Sequence, residues 1–285
     1  LLTQVHCYRD PRAERHQCFV YDKISKEKLH RLTGNQNALF NTVMQLGALR
    51  AEGKDWLLSP AHTLLLLPDL LGYWLTGMMR AEYCNASVTQ LFSPYAGDWS
   101  PEILDVLGIP RGLLAPIIQP GNMLGAVTPE LCAELGASGL NVVAVCSHDT
   151  ASAVAALPTN DPNVAFISSG TWSLVGTEIP QPMTNRSTLL GNFAIEGGAE
   201  KSSRMLKNVM GLWLLQECRH SFALEGNPLS YAQLSALAEA ETPFRSLIDP
   251  DDPAFYMPGN MPAKIAQCCR RTDQPEPQTP GQFVR

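Results

Sequence analysis

Four short stretches of this 285-residue chain carry residue types able to do chemistry. The first is Ser147-His148-Asp149-Thr150, directly after an apolar, β-branched run. Serine, histidine and aspartate are the residues of a hydrolase triad, but a working triad needs three side chains converging in space, and adjacent residues leaving a strand point in different directions. Two readings of Asp149 remain. A carboxylate at the C-terminal end of a strand lies where open α/β sheets build their sites; an Asp or Thr there can equally cap the helix that follows, worth about 1 kcal/mol. The second stretch, Ser168-Ser169-Gly170-Thr171, puts hydroxyls and a glycine at a turn, where backbone N–H groups can face an anion, although these are also ordinary turn residues. The third is the pair Asn208 and Gln216, uncharged polar residues in an apolar run. Read as one helix, the pair is separated by roughly 80° around the axis and shares a broad face. Buried amides there must hydrogen-bond to the protein or to a ligand. The fourth, Glu196-Gly197-Gly198-Ala199-Glu200, reads as a glycine-rich loop, and its acids as solvated.

The elements that position these residues follow from pattern. Residues 1–10 read as a strand, with Val5 and Tyr8 among polar residues, closing in a turn at Arg9-Asp10-Pro11. Residues 22–53 read as two helices broken at Gly34. A further helix starts at Ser59-Pro60 and ends at Leu75-Thr76-Gly77. Residues 93–129 are punctuated by proline and glycine and read as loops and short helices. Residues 141–146 form a strand, the polar turn follows, and the alanine-rich residues 151–157 form a helix. Residues 158–163 are a linker. Beyond it, residues 164–169 and 172–178 pair as a hairpin, residues 205–218 form one buried helix, and residues 229–241 another. The end, from 275 to 285, reads as a polar, proline-rich tail.

Composition bounds the function. With 45% hydrophobic and 17% charged residues the chain builds a core. A net charge of −6, from 21 basic and 27 acidic residues, lacks the excess that binds nucleic acid. The apolar run at 64–79 is broken by Pro68 and Asp69 and is shorter than the roughly 18 residues of a membrane span. The eight cysteines show no zinc-binding spacing and read as reduced, partly buried thiols of a cytoplasmic protein. Neither a GxxxxGK[ST] loop nor a GxGxxG fingerprint is present.

In order along the chain, several motifs together resemble the FGGY carbohydrate kinases, and within them the branch that acts on L-rhamnulose. They are Tyr8-Arg9-Asp10, Phe40-Asn41-Thr42 to Gln45-Leu46, Leu67-Pro68-Asp69 with Leu75-Thr76-Gly77, and Glu82-Tyr83 with Asn85-Ala86 and Thr89-Gln90. Further on come Ser147-His148-Asp149-Thr150, Ser168-Ser169-Gly170-Thr171-Trp172, Glu196-Gly197-Gly198-Ala199-Glu200, and Lys207-Asn208 through Gln216. The resemblance implies an α/β fold of two actin-like, RNase H-like ATPase domains around a cleft. Residues 1–158 would be the C-terminal part of the sugar-binding domain, and 163–285 the N-terminal part of the nucleotide-binding domain. It implies ATP-dependent phosphorylation of L-rhamnulose at C1, with ATP and Mg2+ required. Asp149 would be the general base; His148, Thr150 and Asn208 would contact the sugar alongside it. Gly170, Thr171 and Gln216 would serve the nucleotide, Thr171 donating to its phosphates.

The family's opening phosphate loop, its early Trp-Gly-Val-Asp segment and its late adenosine-binding turn have no counterpart here. The chain, which also lacks an initiator methionine, is therefore expected to be a central fragment with both domains incomplete. Two other readings follow: a non-catalytic relic or binding module, and an FGGY kinase for a different ketose or a polyol. Nucleic acid and membrane are not expected partners.

Overall fold

A computed structural model describes residues 1–3, 5–7, 10–159, 161 and 163–285. Of the sequence readings, Tyr8 and Arg9 of the opening motif, and Asn160 and Pro162 of the linker, lie outside the described residues.

The chain divides into two compact units, residues 1–166 with 176–207, and residues 167–175 with 208–285. The first opens with helices α1 (Arg12–Tyr21), α2 (Lys26–Thr33), α3 (Thr42–Ala51) and α4 (Leu67–Thr76). Strand β1 (Ala81–Glu82) leads directly into α5 (Tyr83–Ser87), and β2 (Phe92–Ser93) pairs antiparallel with β3 (Asp98–Trp99). Then come α6 (Pro101–Leu107), β4 (Ile117–Ile118), β5 (Met123–Ala126), α7 (Pro129–Leu135), β6 (Asn141–Val143) and α8 (Asp149–Ala155). β1 pairs parallel with β4, Ala81 opposite Ile117, and β5 pairs antiparallel with β6.

The remaining strands are β7 (Ala165–Ser169), β8 (Trp172–Ile179), β9 (Ala194–Gly197) and β10 (Ser203–Met210), in sheet order β7-β8-β10-β9. The division between units falls within β7, β8 and β10. Helix α9 (Arg186–Leu190) lies between β8 and β9 in sequence, and α10 (Trp213–Leu224), α11 (Tyr231–Glu239), α12 (Met261–Arg271) and α13 (Pro280–Val284) complete the second unit.

Local chemistry accounts for several boundaries. Ser25 caps α2 by accepting the Lys28 N–H, and Gly34 ends it at φ 73°, a left-handed conformation that costs glycine nothing. A side chain at Gly34 would also strike Ile195 Cβ at 2.7 Å, so the position needs glycine twice over. Ser230 opens α11 through a reciprocal capping box with Gln233. The hairpin reading of 164–178 corresponds to adjacent strands β7 and β8.

Other expectations are corrected. The described residues of 1–10 contain no strand, and α1 follows them. The helix expected from Ser59-Pro60 starts at Leu67, with Pro68 in its first turn; the Ser59 hydroxyl instead accepts the Ala61 N–H in a local turn. Glu196 and Gly197 belong to β9 rather than to a loop. Residues 205–218 are not one helix: they divide into β10 and α10 at Gly211 and Leu212. The expected tail contains α13, and α12 precedes it unforeseen.

The core of the first unit joins Val20 and Leu29 to Phe92, Trp99, Ile103 and Leu107. Phe92 lies between Tyr83 and Trp99 in edge-to-face contacts, with ring centroids 5.6 and 6.3 Å away. The second unit's core packs Phe222, Leu234, Phe255, Met261 and Ile265 around three cysteines, Cys218, Cys268 and Cys269. The eight cysteines are free. Adjacent Cys268 and Cys269 are thus small core residues, and burial raises the thiol pKa of Cys269.

Candidate functional site

The first candidate site lies where β6 runs out toward α8. His148, in extended conformation, is the N-cap, and Asp149 is the first helical residue. His148 thus occupies the N-cap position, while the Asp149 carboxylate takes the backbone N–H of Thr150. The Asp149 side chain is 98% exposed while that of His148 is 20% exposed. The Asp149 carboxylate Oδ1 accepts the Thr150 N–H at 2.7 Å and lies 3.3 Å from His148 Nδ1. His148 Nδ1 is also 3.2 Å from the Thr150 nitrogen. One arrangement serves all three atoms: a proton on His148 Nδ1 donated to Asp149, and the Thr150 N–H directed to the same carboxylate oxygen. The His148 hydrogen bond, assisted by the Thr150 N–H, lowers the Asp149 pKa from 3.8 to about 2. Asp149 is a solvent-facing carboxylate, fully ionised at neutral pH, on a turn whose companions His148 and Thr150 it touches.

A buried acid holds this turn from behind. Glu82 is 3% exposed at the junction of β1 and α5. Its Oε1 accepts the Cys84 N–H at 2.9 Å, and its Oε2 accepts the Asn85 N–H at 3.2 Å, the Ser147 N–H at 3.2 Å and the Ser147 hydroxyl at 2.8 Å. Asn85 adds a bond from Nδ2 to Ser147 Oγ at 2.6 Å. Behind Glu82 sits Asp69, whose Oδ1 accepts the Glu82 N–H at 2.9 Å. Burial, together with the neighbouring Glu82 carboxylate, raises the Asp69 pKa to about 6 against the favourable Glu82 N–H bond. Asp69, Glu82, Arg80 and Ser147 line a cavity of about 240 Å³ together with mainly apolar residues such as Leu71, Leu75 and Val142.

The other end of α5 is anchored too. Ser87 Oγ accepts the Gly197 N–H at 2.7 Å, and a side chain at Gly197 would strike the Tyr83 ring at 2.5 Å. Opposite each other on β9 and β10, Glu196 and Arg204 form a buried ion pair at 3.0 Å, with Arg204 Nε also donating to the Gly197 carbonyl at 3.1 Å. Glu196 is therefore a buried partner, not the solvated loop acid the pattern suggested.

The second candidate site lies in the other unit, at the turn between β7 and β8. The Gly211 and Trp213 N–H groups donate to the Thr171 carbonyl at 3.1 and 3.2 Å, and the Leu212 N–H donates to the Gly170 carbonyl at 2.8 Å. The hairpin tip that carries Gly170 and Thr171, both exposed, is thereby fastened to the start of α10, the helix bearing Gln216. Gly211 makes this possible: a Cβ there would meet Ser173 Oγ at 2.5 Å, Ser173 N at 2.7 Å and the Gly170 carbonyl at 2.8 Å. Asn208 stands on β10 and Gln216 on α10, both half-buried, so they do not share a helix face. Glu82 and Gly211 lie within motifs of the family resemblance, but the sequence reading assigns no role to either. The available signals were an acid directly before the helix-starting Tyr83-Cys84-Asn85, and a glycine between the mixed segment Ser203–Met210 and the apolar Leu212-Trp213-Leu214-Leu215.

Among the described residues no group of three or more His, Cys, Asp or Glu is placed to hold a metal ion, and no helix is long and apolar enough to cross a membrane.

Comparison with known proteins identifies the family. Residues 1–156 match the N-terminal domain, and residues 165–285 the C-terminal domain, of the FGGY family of carbohydrate kinases. The chain is 41% identical over 285 residues to a rhamnulokinase of Bacteroides thetaiotaomicron, covering 100% of this chain and 58% of that protein. It is 39% identical over 284 residues to a rhamnulokinase of Oceanobacillus iheyensis, covering 100% of this chain and 59% of that protein. The chain thus spans less than two thirds of the curated relatives it matches. A ligand-bound xylulose kinase from Lactobacillus acidophilus aligns with a TM-score of 0.70 at 19% identity, over 85% of this chain and 48% of that one. Plasmodium falciparum glycerol kinase with ADP aligns at 0.68 and 14% identity, over 84% and 47%. These likenesses show the mixed α/β, actin-like and RNase H-like fold of the sugar kinases. With both of its domain models matched in order along the sequence, the chain belongs to the FGGY family of carbohydrate kinases.

Proposed function

We propose that the parent activity is ATP-dependent phosphorylation of L-rhamnulose to L-rhamnulose 1-phosphate, with Asp149 as general base. The observation that carries the reading is the Asp149 carboxylate, exposed, ionised and oriented by two donors at a strand-to-helix turn, in a chain about 40% identical to rhamnulokinases along its whole length. In the reaction the sugar C1 oxygen attacks the γ-phosphorus as its proton passes to Asp149, and the bond from that phosphorus to the ADP oxygen breaks. A carboxylate suits this task because the hydroxyl becomes a good nucleophile only when its proton has an acceptor. Most of the remaining catalysis in phosphoryl transfer is positioning and charge stabilisation. His148 and Thr150 would contact the sugar beside Asp149, and Asn208 would do so from β10. Gly170 and Thr171, on their fastened hairpin tip, would face the nucleotide phosphates, and Gln216 the nucleotide. Residues 1–158 and 163–285 would be the sugar-side and nucleotide-side portions, working in the cytoplasm. Mg2+ would accompany ATP, since magnesium is usually held by one or two carboxylates together with substrate phosphates rather than by a protein cage.

A coupled assay with ATP across rhamnulose, fuculose, xylulose and glycerol tests the reading. Turnover with rhamnulose far above the others is expected; a preference for another substrate overturns the rhamnulose assignment. Binding without turnover is the rival reading. Titration of Mg-ATP alongside the assay separates the two, since micromolar binding with rhamnulose turnover defeats it.

A further inference from the structure

The hydrogen bonds around Glu82 ask for a role that capping α5 alone does not explain. Two backbone N–H groups, from Cys84 and Asn85, satisfy the cap. The same carboxylate also takes both donors of Ser147, a residue 65 positions away in sequence and two before Asp149. Hydrogen bonds to an ionised acceptor are the stronger kind, and Oε2 receives three of the four. With Asn85 bound to the Ser147 hydroxyl oxygen as well, Ser147 cannot rotate or shift without breaking a buried network. His148 and Asp149 follow on a chain that has just left β6 and has no further strand partner among the described residues.

We propose that Glu82 is a positioning residue for the reaction: by clamping Ser147 it fixes the turn on which Asp149 and His148 are presented, without itself touching substrate. Asp69, which holds the Glu82 N–H from the far side, completes the support. The proposal rests on the reading of Asp149 as the base. A fixed turn matters because misplacing a reacting group by about 1 Å can cost roughly 10²-fold in rate.

The test uses the 285-residue chain with Glu82→Gln, Ser147→Ala, Asp149→Asn and the Glu82→Gln/Asp149→Asn pair. Glu82→Gln keeps the side-chain shape but replaces an acceptor with an NH2 group that faces N–H donors. It is expected to lower kcat with rhamnulose by roughly 10²-fold and to leave KM for ATP unchanged. In the Asp149→Asn background the same substitution should cost nothing more, because groups acting as a unit are not additive. An unchanged kcat, or a loss that multiplies with that of Asp149→Asn, overturns the proposal. Should Glu82→Gln fail to fold, Ser147→Ala decides: loss of one charge-assisted hydrogen bond predicts roughly a ten-fold lower kcat, and a wild-type rate overturns the idea. NMR supplies a readout independent of turnover. Ser147→Ala should shift the His148 ring nitrogens and the Asp149 and Thr150 amides, and unmoved resonances overturn the proposal. Where this chain shows no turnover, the NMR arm decides whether the Glu82–Ser147 contact holds the turn.

Discussion

The two candidate sites solve one problem, fixing an exposed turn beside a helix, by different means. The Asp149 turn is held by side chains, most of them charged and buried: Glu82 on Ser147, Asp69 on Glu82, and the Glu196–Arg204 pair behind Gly197 and α5. The Gly170-Thr171 turn is held by backbone groups, the N–H donors of 211–213 on the carbonyls of 170 and 171. Side-chain support is tunable but costly, since every buried charge needs its partners. Backbone support needs only close approach, and therefore a residue without a side chain.

This contrast predicts how each region fails. Asp149→Asn should reduce turnover by about 10² to 10⁴-fold while calorimetry still detects sugar binding; a near wild-type rate would remove the chemical role from the side-chain-built turn. Glu196→Ala leaves Arg204, 0% exposed, buried without its counter-ion, and should cost about 3–5 kcal/mol in urea unfolding. A cost like that of a surface substitution would show that charge does not support this region.

The two aspartates of the first region should pull stability in opposite directions with pH. Asp69 holds its proton more tightly folded than unfolded, so its contribution is fully present below 3.8 and lost as pH rises through about 6. Asp149 behaves in reverse: its contribution is present above 3.8 and lost as pH falls toward about 2. Asp69→Asn, which keeps an acceptor for the Glu82 N–H, should therefore abolish the downward slope of unfolding free energy between pH 4 and 6. A slope that survives contradicts the assignment.

The backbone-built turn should answer to glycine instead. Gly211→Ala places a methyl group 2.5 Å from Ser173 Oγ and 2.8 Å from the Gly170 carbonyl, an overpacking of about 1–3 kcal/mol. In Gly170→Ala the nearest atom is the Trp172 carbonyl oxygen at 3.5 Å, and the change in thermal stability should stay within about 0.5 kcal/mol. Equal effects at both positions would break the comparison.

Much of the local structure was legible because short-range chemistry wrote it. Gly34 and Gly77 stop helices in the left-handed conformation that glycine favours, and Ser230 starts one. The failures have a shared cause. In β10 the burial order shows no alternation between faces, so its apolar run carries no period of two and reads as a continuation of α10. Helix α12 was hidden because Cys268 and Cys269, two of its buried residues, do not announce a hydrophobic face, while Arg270 and Arg271 suggest solvent. Of the candidate site, His148, Asp149, Thr150, Gly170 and Thr171 were visible as a polar turn and a hairpin tip, whereas the supporting roles of Glu82 and Gly211 were not, their partners lying 65 and 40 positions away in sequence.

By itself the sequence determined the residue types at each turn, the breaks that delimit most helices, and, through ordered motifs, membership in a kinase family. It also placed a carboxylate where a strand meets a helix. Only the tertiary structure decided that this carboxylate is exposed and ionised, that Glu82 and Asp69 are buried in its support, and that Gly211 allows one turn to lie on another. The reason is physical: a residue's type is local, but its hydrogen-bond partners, its desolvation and the space around its Cβ belong to segments that only folding brings together.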